Sequence, residues 1–133
     1  LLNLYPIEKI GEFFPSINLK TTLLPHGSGK TCGLIFDSFS YIIDCHSIPK
    51  DTVHDLQQQE SHTLIIDCLQ KKEHPSHLWV DKCFNYIDQI SPERTFLTHM
   101  NHELSHAELE KIANQHFDNI DVSPAFDRWS IEV

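Results

Sequence analysis

The stretch Thr22–Asp37, TLLPHGSGKTCGLIFD, places two short apolar runs on either side of a glycine-rich loop. The runs predict two β-strands, and the end of the loop, Gly29-Lys30-Thr31, is typical of a phosphate-binding loop. Such a loop also needs a glycine at position 24 and a helix after the threonine. Position 24 is leucine, and the residues that follow are strand-like. The stretch is therefore not a nucleotide site, and its candidate functional residue is His26, at the end of a strand.

Strand-like and helix-like patterns alternate through the rest of the chain. Continuous apolar runs predict buried strands, and apolar spacings of three and four predict helices. Ser105 as an N-cap, with Glu108 three residues later, forms a capping box. Strand–helix–strand alternation between β-rich ends predicts an α/β or mixed α+β fold. The predicted strands are 19–25, 31–37, 39–44, 62–67, 94–99, 119–124 and 128–133, and the predicted helices are 49–60, 77–90 and 105–115.

Side chains of the kind that bind metals stand at the ends of four predicted strands: His26, Asp44, Asp67 and His99. In open α/β sheets, sites form beyond the carboxyl ends of the strands. An ionised carboxylate at the end of a buried strand is costly unless it is hydrogen-bonded or bound to a cation. A single strand-end aspartate is usually a turn or cap former, but four such residues together favour a metal site. Imidazole and carboxylate ligands suit zinc, manganese or iron.

The composition excludes several classes of function. Ten Lys+Arg against 19 Asp+Glu give a net charge of −9, which argues against a non-specific nucleic-acid binder. No apolar run approaches the roughly 18 residues that span a membrane, and the first residues lack the basic region of a signal peptide. The four cysteines form no CxxC pair, so we expect buried, reduced thiols. These features predict a cytoplasmic protein with no membrane partner and no direct nucleic-acid binding.

Ten histidines in 133 residues indicate metal or acid–base chemistry. His102 and His106 have the spacing of a helical metal pair, but the proposed N-cap Ser105 lies between them. We therefore expect a surface position for His106. Surface positions are also expected for His46, His54, His62 and His116.

Five blocks of the sequence resemble, in order and spacing, the C-terminal half of metallo-β-lactamase-fold hydrolases. The most similar branch is the phosphodiesterases typified by the carbon–phosphorus lyase accessory protein, which cleaves cyclic phosphate esters of ribose. The resemblance runs from about Leu19 to the C-terminus. The blocks are LLPHGSGKTCGLIFD (23–37), FSYIIDCHSIP (39–49), LIIDCLQKKEHPSHL (64–78), RTFLTHMNHELSH (94–106) and VSPAFDRWSIEV (122–133).

The resemblance implies an αββα sandwich with two divalent metal ions, zinc or manganese, at one edge. His26 and His99 match histidine ligands of this family, and Asp44 matches the carboxylate that bridges the two metals. Two metals of this kind lower the pKa of a bridging water and neutralise phosphoryl oxygens. The implied function is hydrolysis of a small, cyclic phosphate ester by the water that the metals activate.

A further histidine is implied beside the substrate phosphate. His77 falls where related phosphodiesterases keep a histidine that is not a metal ligand, with His74 as the alternative. A histidine beside the leaving oxygen could act as a general acid. Asp67 matches a strand-end acid with a structural or supporting role.

The sequence departs from the family pattern at two places. The first metal motif of the family, H-x-H-x-D-H, is absent from these 133 residues, and Arg128 stands where relatives have Asp-Gly. Since the chain also starts without methionine, we expect residues 1–133 to be one partial domain, the C-terminal half of a longer hydrolase. Its expected partner is the missing N-terminal half or a second chain, as in a homodimer. The alternative is a catalytically incomplete fold relative that acts as a binding or assembly subunit.

Overall fold

The computed structural model describes residues 18–59 and 62–130. These residues form a six-stranded sheet in which the strand order follows the chain, β1-β2-β3-β4-β5-β6. The β1–β2 and β2–β3 pairs are antiparallel, and the remaining three pairs are parallel. The predicted mixed α/β fold class is confirmed. The strands are β1 Leu19–His26, β2 Gly29–Phe36, β3 Phe39–Ile42, β4 Thr63–Asp67, β5 Arg94–Thr98 and β6 Asp121–Pro124, and the helices are α1 Lys50–Gln57, α2 Val80–Ile90 and α3 His106–His116.

The strands β1 and β2 form a hairpin whose last pair is His26 with Gly29. Gly27 has a φ of +53°, which lies in the left-handed region that glycine adopts at little cost. Lys30 and Thr31 lie inside β2, not at the start of a helix. This arrangement confirms that the glycine-rich stretch is not a phosphate-binding loop, and it places His26 at the very end of β1.

The three helices cover one face of the sheet. Each helix connects two neighbouring parallel strands in the same direction along the sheet, and such crossovers are right-handed, so all three helices lie on the same side. The apolar residues of α2 recur at spacings of three and four, so they lie on one face of the helix, and that face packs into the core. These residues are all buried: Val80, Cys83, Phe84, Ile87 and Ile90.

Helix α3 begins where the capping box predicted. The hydroxyl of Ser105 accepts a hydrogen bond from the backbone N–H of Glu108 at 3.3 Å, which satisfies one of the free donors of the first turn. Leu109 and Ala113, one turn apart, then pack into the core. None of the helices in residues 18–59 and 62–130 is long and apolar enough to cross a membrane.

The opposite face of the sheet is apolar and exposed. Successive residues of a strand point to opposite faces, so Leu24 is fully buried while its neighbour Leu23 is 60% exposed. The strand registers place Tyr41 and Phe96 on the same face as Leu23. The ring of Trp129 covers Phe96 edge to face, with the ring centroids 4.5 Å apart. We call this surface the open face.

Two expectations about burial are wrong. His62 was expected on the surface, but only 2% of it is exposed, because its carbonyl accepts a hydrogen bond from the N–H of Glu93 where two central strands begin. Cys32 was expected to be buried, but it is exposed, because it pairs with Leu23 on the open face. The other three cysteines are buried: Cys45, Cys68 and Cys83.

The strand predicted over 128–133 is not formed in its described part. Residues 128–130 adopt turn and irregular structure, and Arg128 has a φ of +67°. This left-handed conformation interrupts an extended strand. Residues 131–133 lie outside the described part of the chain.

Acid should destabilise the fold through His62. Burial lowers the pKa of this imidazole to about 4, below its ordinary value of 6.5. The unfolded state therefore binds the proton more readily, and the free energy of unfolding should fall as the pH drops from about 6.5 towards 4, by at most about 3 kcal/mol. Urea unfolding near neutral pH and near pH 4.5 measures this slope. His62→Leu should reduce the slope, whereas His54→Leu, at an exposed position, should retain it. An equal slope in the parent and His62→Leu would contradict the assignment.

Candidate metal centre

The four strand-end residues come together at one edge of the sheet. The strands β3, β4 and β5 are parallel, so their carboxyl ends share an edge, and β1 runs in the same direction because two antiparallel pairings separate it from β3. His26 ends β1, and Asp67 ends β4. Asp44 lies two residues after the end of β3, and His99 follows β5 directly. The chain order of the elements therefore gathers residues that are up to 73 positions apart.

A first group contains His26, Asp44 and His77, whose ligand-type atoms lie within 4.8 Å of one another. The Nε2 atom of His26 is 3.3 Å from Oδ1 of Asp44. The same Asp44 oxygen is 3.6 Å from Nδ1 of His77. The two Nε2 atoms of His26 and His77 are 3.4 Å apart.

A second group contains Asp67, His77 and His99 within the same limit. The Nδ1 atom of His77 is 3.1 Å from Oδ2 of Asp67, at hydrogen-bonding distance. The Nδ1 atom of His99 is 3.7 Å from Oδ1 of Asp67. Since His77 belongs to both groups, the five side chains form one continuous cluster, which we call the edge cluster.

Asp67 is the buried member of the edge cluster. Its side chain is fully buried, and burial raises the pKa of its carboxyl above the ordinary value, while hydrogen bonds from His77 and the Cys45 amide oppose the rise. The Oδ2 atom accepts both of these hydrogen bonds. The Oδ1 atom has no hydrogen-bond partner among the described residues. A buried carboxylate oxygen of this kind is costly unless a cation compensates it.

The backbone around the edge cluster is held in an unusual conformation. Asp44 and His99 have φ values of +57° and +64°, in the left-handed region where only a few per cent of non-glycine residues occur. Backbone hydrogen bonds fix the strand ends here. The amide of His46 donates to the carbonyl of Pro25 at 2.7 Å, and the amide of Cys68 donates to the carbonyl of Thr98 at 2.9 Å. Strain of this kind concentrates at functional sites, because the surrounding structure must maintain it.

The geometry favours His77 over His74 as the histidine at the centre of the cluster. The ring centroid of His77 is 4.9 Å from those of both His26 and His99. The Nδ1 atom of His74 instead accepts from the amide of Ser76 at 3.3 Å, within its own loop. The role of His77 beside the substrate phosphate stays a prediction.

Other candidate residues lie outside the edge cluster. His102 and His106 are exposed, and Nε2 of His106 is 3.1 Å from the carbonyl oxygen of Pro124. Burial, with the neighbouring charges of Asp67 and Asp44, raises the pKa of the Cys45 thiol to about 12. This sulfur is therefore a neutral thiol near pH 7, and the donors of the cluster are imidazoles and carboxylates.

Comparison with known proteins identifies the family. The sequence profile of the Beta-lactamase superfamily domain matches residues 2–100. The chain therefore belongs to this superfamily, and its fold is that of the metallo-β-lactamases. No curated protein sequence matches the chain at a significant level.

Solved structures with this fold include a diphosphatase from the PhnP family. It shares 26% sequence identity with a TM-score of 0.70 over 80% of this chain, which spans 40% of that structure. The metallo-β-lactamase fold protein YhfI from Bacillus subtilis shares 17% identity, with a TM-score of 0.65 over 82% of this chain and 46% of YhfI. An isothiocyanate hydrolase from Delia radicum gut bacteria shares 18% identity, with a TM-score of 0.63 over 96% of this chain and 56% of that structure. The match to the PhnP family confirms the predicted resemblance to the branch typified by the carbon–phosphorus lyase accessory protein, and the chain spans 40–56% of the length of these structures.

The edge cluster fits the divalent metals that this superfamily implies. Imidazole nitrogens and carboxylate oxygens are ligands that zinc and manganese accept. A cation near Oδ1 of Asp67 would compensate the one buried carboxylate oxygen that lacks a partner. The structural or supporting role expected of Asp67 stays a prediction, and its Oδ2 atom lies 3.1 Å from Nδ1 of His77.

Substitution of Asp44 should weaken metal binding. Isothermal titration of the protein with Zn²⁺ should give an affinity that falls by about tenfold or more in Asp44→Asn, because a neutral amide replaces the carboxylate beside His26 and His77. Asp118→Asn removes the same charge at an exposed position and serves as the control. An unchanged Zn²⁺ affinity in Asp44→Asn would rule out Asp44 as a ligand.

Proposed function

We propose that this protein is a metal-dependent hydrolase that acts as a phosphodiesterase on a small phosphate ester. The observation that supports it best is the edge cluster, in which two groups of histidine and aspartate share His77 at the carboxyl edge of the sheet. The solved structure at 26% identity is a diphosphatase, which also acts on bonds to phosphorus. A cyclic phosphate ester is the substrate that the resemblance favours.

In this proposal, His26, Asp44 and His99 are metal ligands. Two divalent ions, zinc or manganese, would supply an activated water and positive charge for the phosphoryl oxygens. The bridging role of Asp44 is the one that the family resemblance implies, and its Oδ1 atom lies 3.3 Å from Nε2 of His26, beside a second proposed ligand. The remaining ligands, of the H-x-H-x-D-H type, would come from residues outside these 133.

His77 would transfer the proton to the leaving oxygen. With Nδ1 donating to Oδ2 of Asp67, the other ring nitrogen, Nε2, faces His26 and the interior of the cluster. The Asp67 carboxylate fixes the tautomer and orientation of the ring, and it would stabilise the imidazolium form. Nε2 of His77 is then the atom that holds the proton and delivers it as the ester bond breaks.

In the whole protein, the effect of replacing His77 on the rate of hydrolysis should depend on the leaving group of the substrate. Asp44→Ala should abolish hydrolysis of both bis(p-nitrophenyl) phosphate and a nucleoside 2′,3′-cyclic phosphate. His77→Gln should slow hydrolysis of the cyclic phosphate by about 100-fold or more, because the alkoxide leaving group of this substrate needs a proton. Hydrolysis of bis(p-nitrophenyl) phosphate should slow much less, because nitrophenolate leaves with little assistance. Rates with Mn²⁺ or Zn²⁺ measure both effects.

Three results would argue against this mechanism. The parent could fail to hydrolyse either phosphodiester, or Asp44→Ala could keep full activity. His77→Gln could also slow the two substrates equally, which would remove the role of general acid. Asp118→Ala, at an exposed position, is the matched control and should keep the parent rates.

A second candidate function is that of a non-catalytic subunit, favoured by the open face of the sheet. Leu23, Phe126 and Trp129 expose 60%, 59% and 40% of their surfaces there. An apolar surface of this kind is typical of a protein–protein interface. A second sheet from another chain, or a second copy, would cover it.

This second function predicts that the chain associates through the open face. Sedimentation velocity should show a dimer or larger species, and Leu23→Lys should shift it to the monomer, because the charge falls within the apolar surface. Lys111→Glu, at an exposed position of α3 on the other side of the sheet, should leave association unchanged. A parent chain that is monomeric at all concentrations and unfolds cooperatively would exclude this function.

A further inference from the structure

A cleft of about 420 Å³ lies between α1 and α2, and no residue of the edge cluster lines it. Its volume falls within the range of about 300–1,000 Å³ that is typical of small-molecule sites. Its apolar side is formed by Ile48 and Val53, and its polar sides by lysines, a histidine and side-chain amides from both helices. The cleft therefore combines a surface for carbon atoms with several hydrogen-bond donors.

The charge of the cleft is opposite to that of the protein. The chain has 19 acidic and 10 basic residues, yet the residues that line this cleft include Lys50 and Lys82 and no carboxylate. Asp55, on α1, forms an ion pair with Lys20 away from the cleft. Two lysines without a lining acid make this cleft suitable for an anion.

Lys82 has no carboxylate within 4 Å among the described residues. By contrast, Lys71 lies 2.7 Å from Glu108, and Arg94 lies 3.4 Å from Asp121. The exposed carboxylate of Glu73 acts on Lys82 only at longer range. Lys82 is also half-buried, so its ammonium has lost water without gaining a counter-ion.

Two rings hold Lys82 in place. Its Nζ atom lies 3.3 Å from Nδ1 and 3.4 Å from Nε2 of His46. It is also 4.8 Å from the centre of the Trp79 ring, at a distance typical of a cation–π contact. These contacts position the ammonium but leave its charge uncompensated, and an anion in the cleft would compensate it.

The walls of the cleft are fixed by hydrogen bonds. The hydroxyl of Tyr86 accepts from the amide of Ile48 at 3.1 Å, which ties the loop before α1 to α2. The side-chain amide of Gln57 donates to the carbonyl of Gln89 at 2.7 Å and joins the two helices directly. The cleft is thus a formed feature of the fold, and binding would require little rearrangement.

We propose that the cleft between α1 and α2 binds a small phosphate monoester, with its phosphate on Lys82 and Lys50 and its carbon part against Ile48 and Val53. A phosphate monoester carries up to two negative charges on one compact group, which matches two lysines. This binding goes beyond the proposed hydrolysis, because no step of that reaction uses the cleft. It also requires no metal.

Titration with ribose 5-phosphate in the presence of EDTA tests the proposal. Amide resonances of α1, α2 and Trp79, followed by NMR, should shift with saturation, and ribose without phosphate should cause no such shift. Lys82→Met keeps the aliphatic stem and should weaken binding by about tenfold or more, while Lys82→Arg should retain most of it. Lys111→Met, on an exposed position of α3, should bind as the parent does.

The outcome separates this proposal from the proposed hydrolase function. Because no residue of the edge cluster lines the cleft, the parent should bind ribose 5-phosphate in EDTA whether or not it hydrolyses a phosphodiester. Equal shifts with ribose, unchanged affinity in Lys82→Met, or no saturable shift in the parent would overturn the proposal. Loss of hydrolysis together with retained ribose 5-phosphate binding would overturn only the hydrolase.

Discussion

The buried carboxylate of Asp67 is the constraint on which the edge cluster depends. Its Oδ2 atom accepts hydrogen bonds from the amide of Cys45, which follows β3, and from the ring of His77, in the loop after β4. Its Oδ1 atom faces His99, which follows β5. One side chain thus joins three strand ends, and it does so fully buried, where an uncompensated charge is expensive. The arrangement is stable only while these partners stay in place.

The strained backbone beside Asp67 follows from the same constraint. Asp44 and His99 each adopt a left-handed conformation within two residues of the end of a strand. Such conformations cost about 1–3 kcal/mol each and persist where neighbouring contacts outweigh the cost. The core beneath them, with fully buried side chains such as Ile42, Ile66 and Leu97, provides that compensation. The left-handed residues at the sheet edge therefore reduce the stability of the fold at the place where the chemistry is proposed.

Much of this architecture could be predicted from the sequence. Apolar patterns predicted three helices and seven strands, of which the strand over 128–133 is not formed in its described part. Polar residues at strand ends identified His26, Asp44, Asp67 and His99 as candidates. Other features could not be predicted, because they depend on tertiary contacts. The residues just before His62 are polar, as at a protein surface. Its burial depends on the contact between the first residues of β4 and β5, which lie far apart in the sequence. The central position of His77 depends on a loop conformation that no periodicity encodes.

The strand order has a consequence for how the protein is made. Each strand pairs with the next one in the chain, so no pairing has to wait for a later strand. All five residues of the edge cluster lie between His26 and His99. The cluster can therefore assemble during synthesis, after β5 has left the ribosome and before α3 and β6 emerge. Residues 100–130 then support the cluster without supplying it with donors.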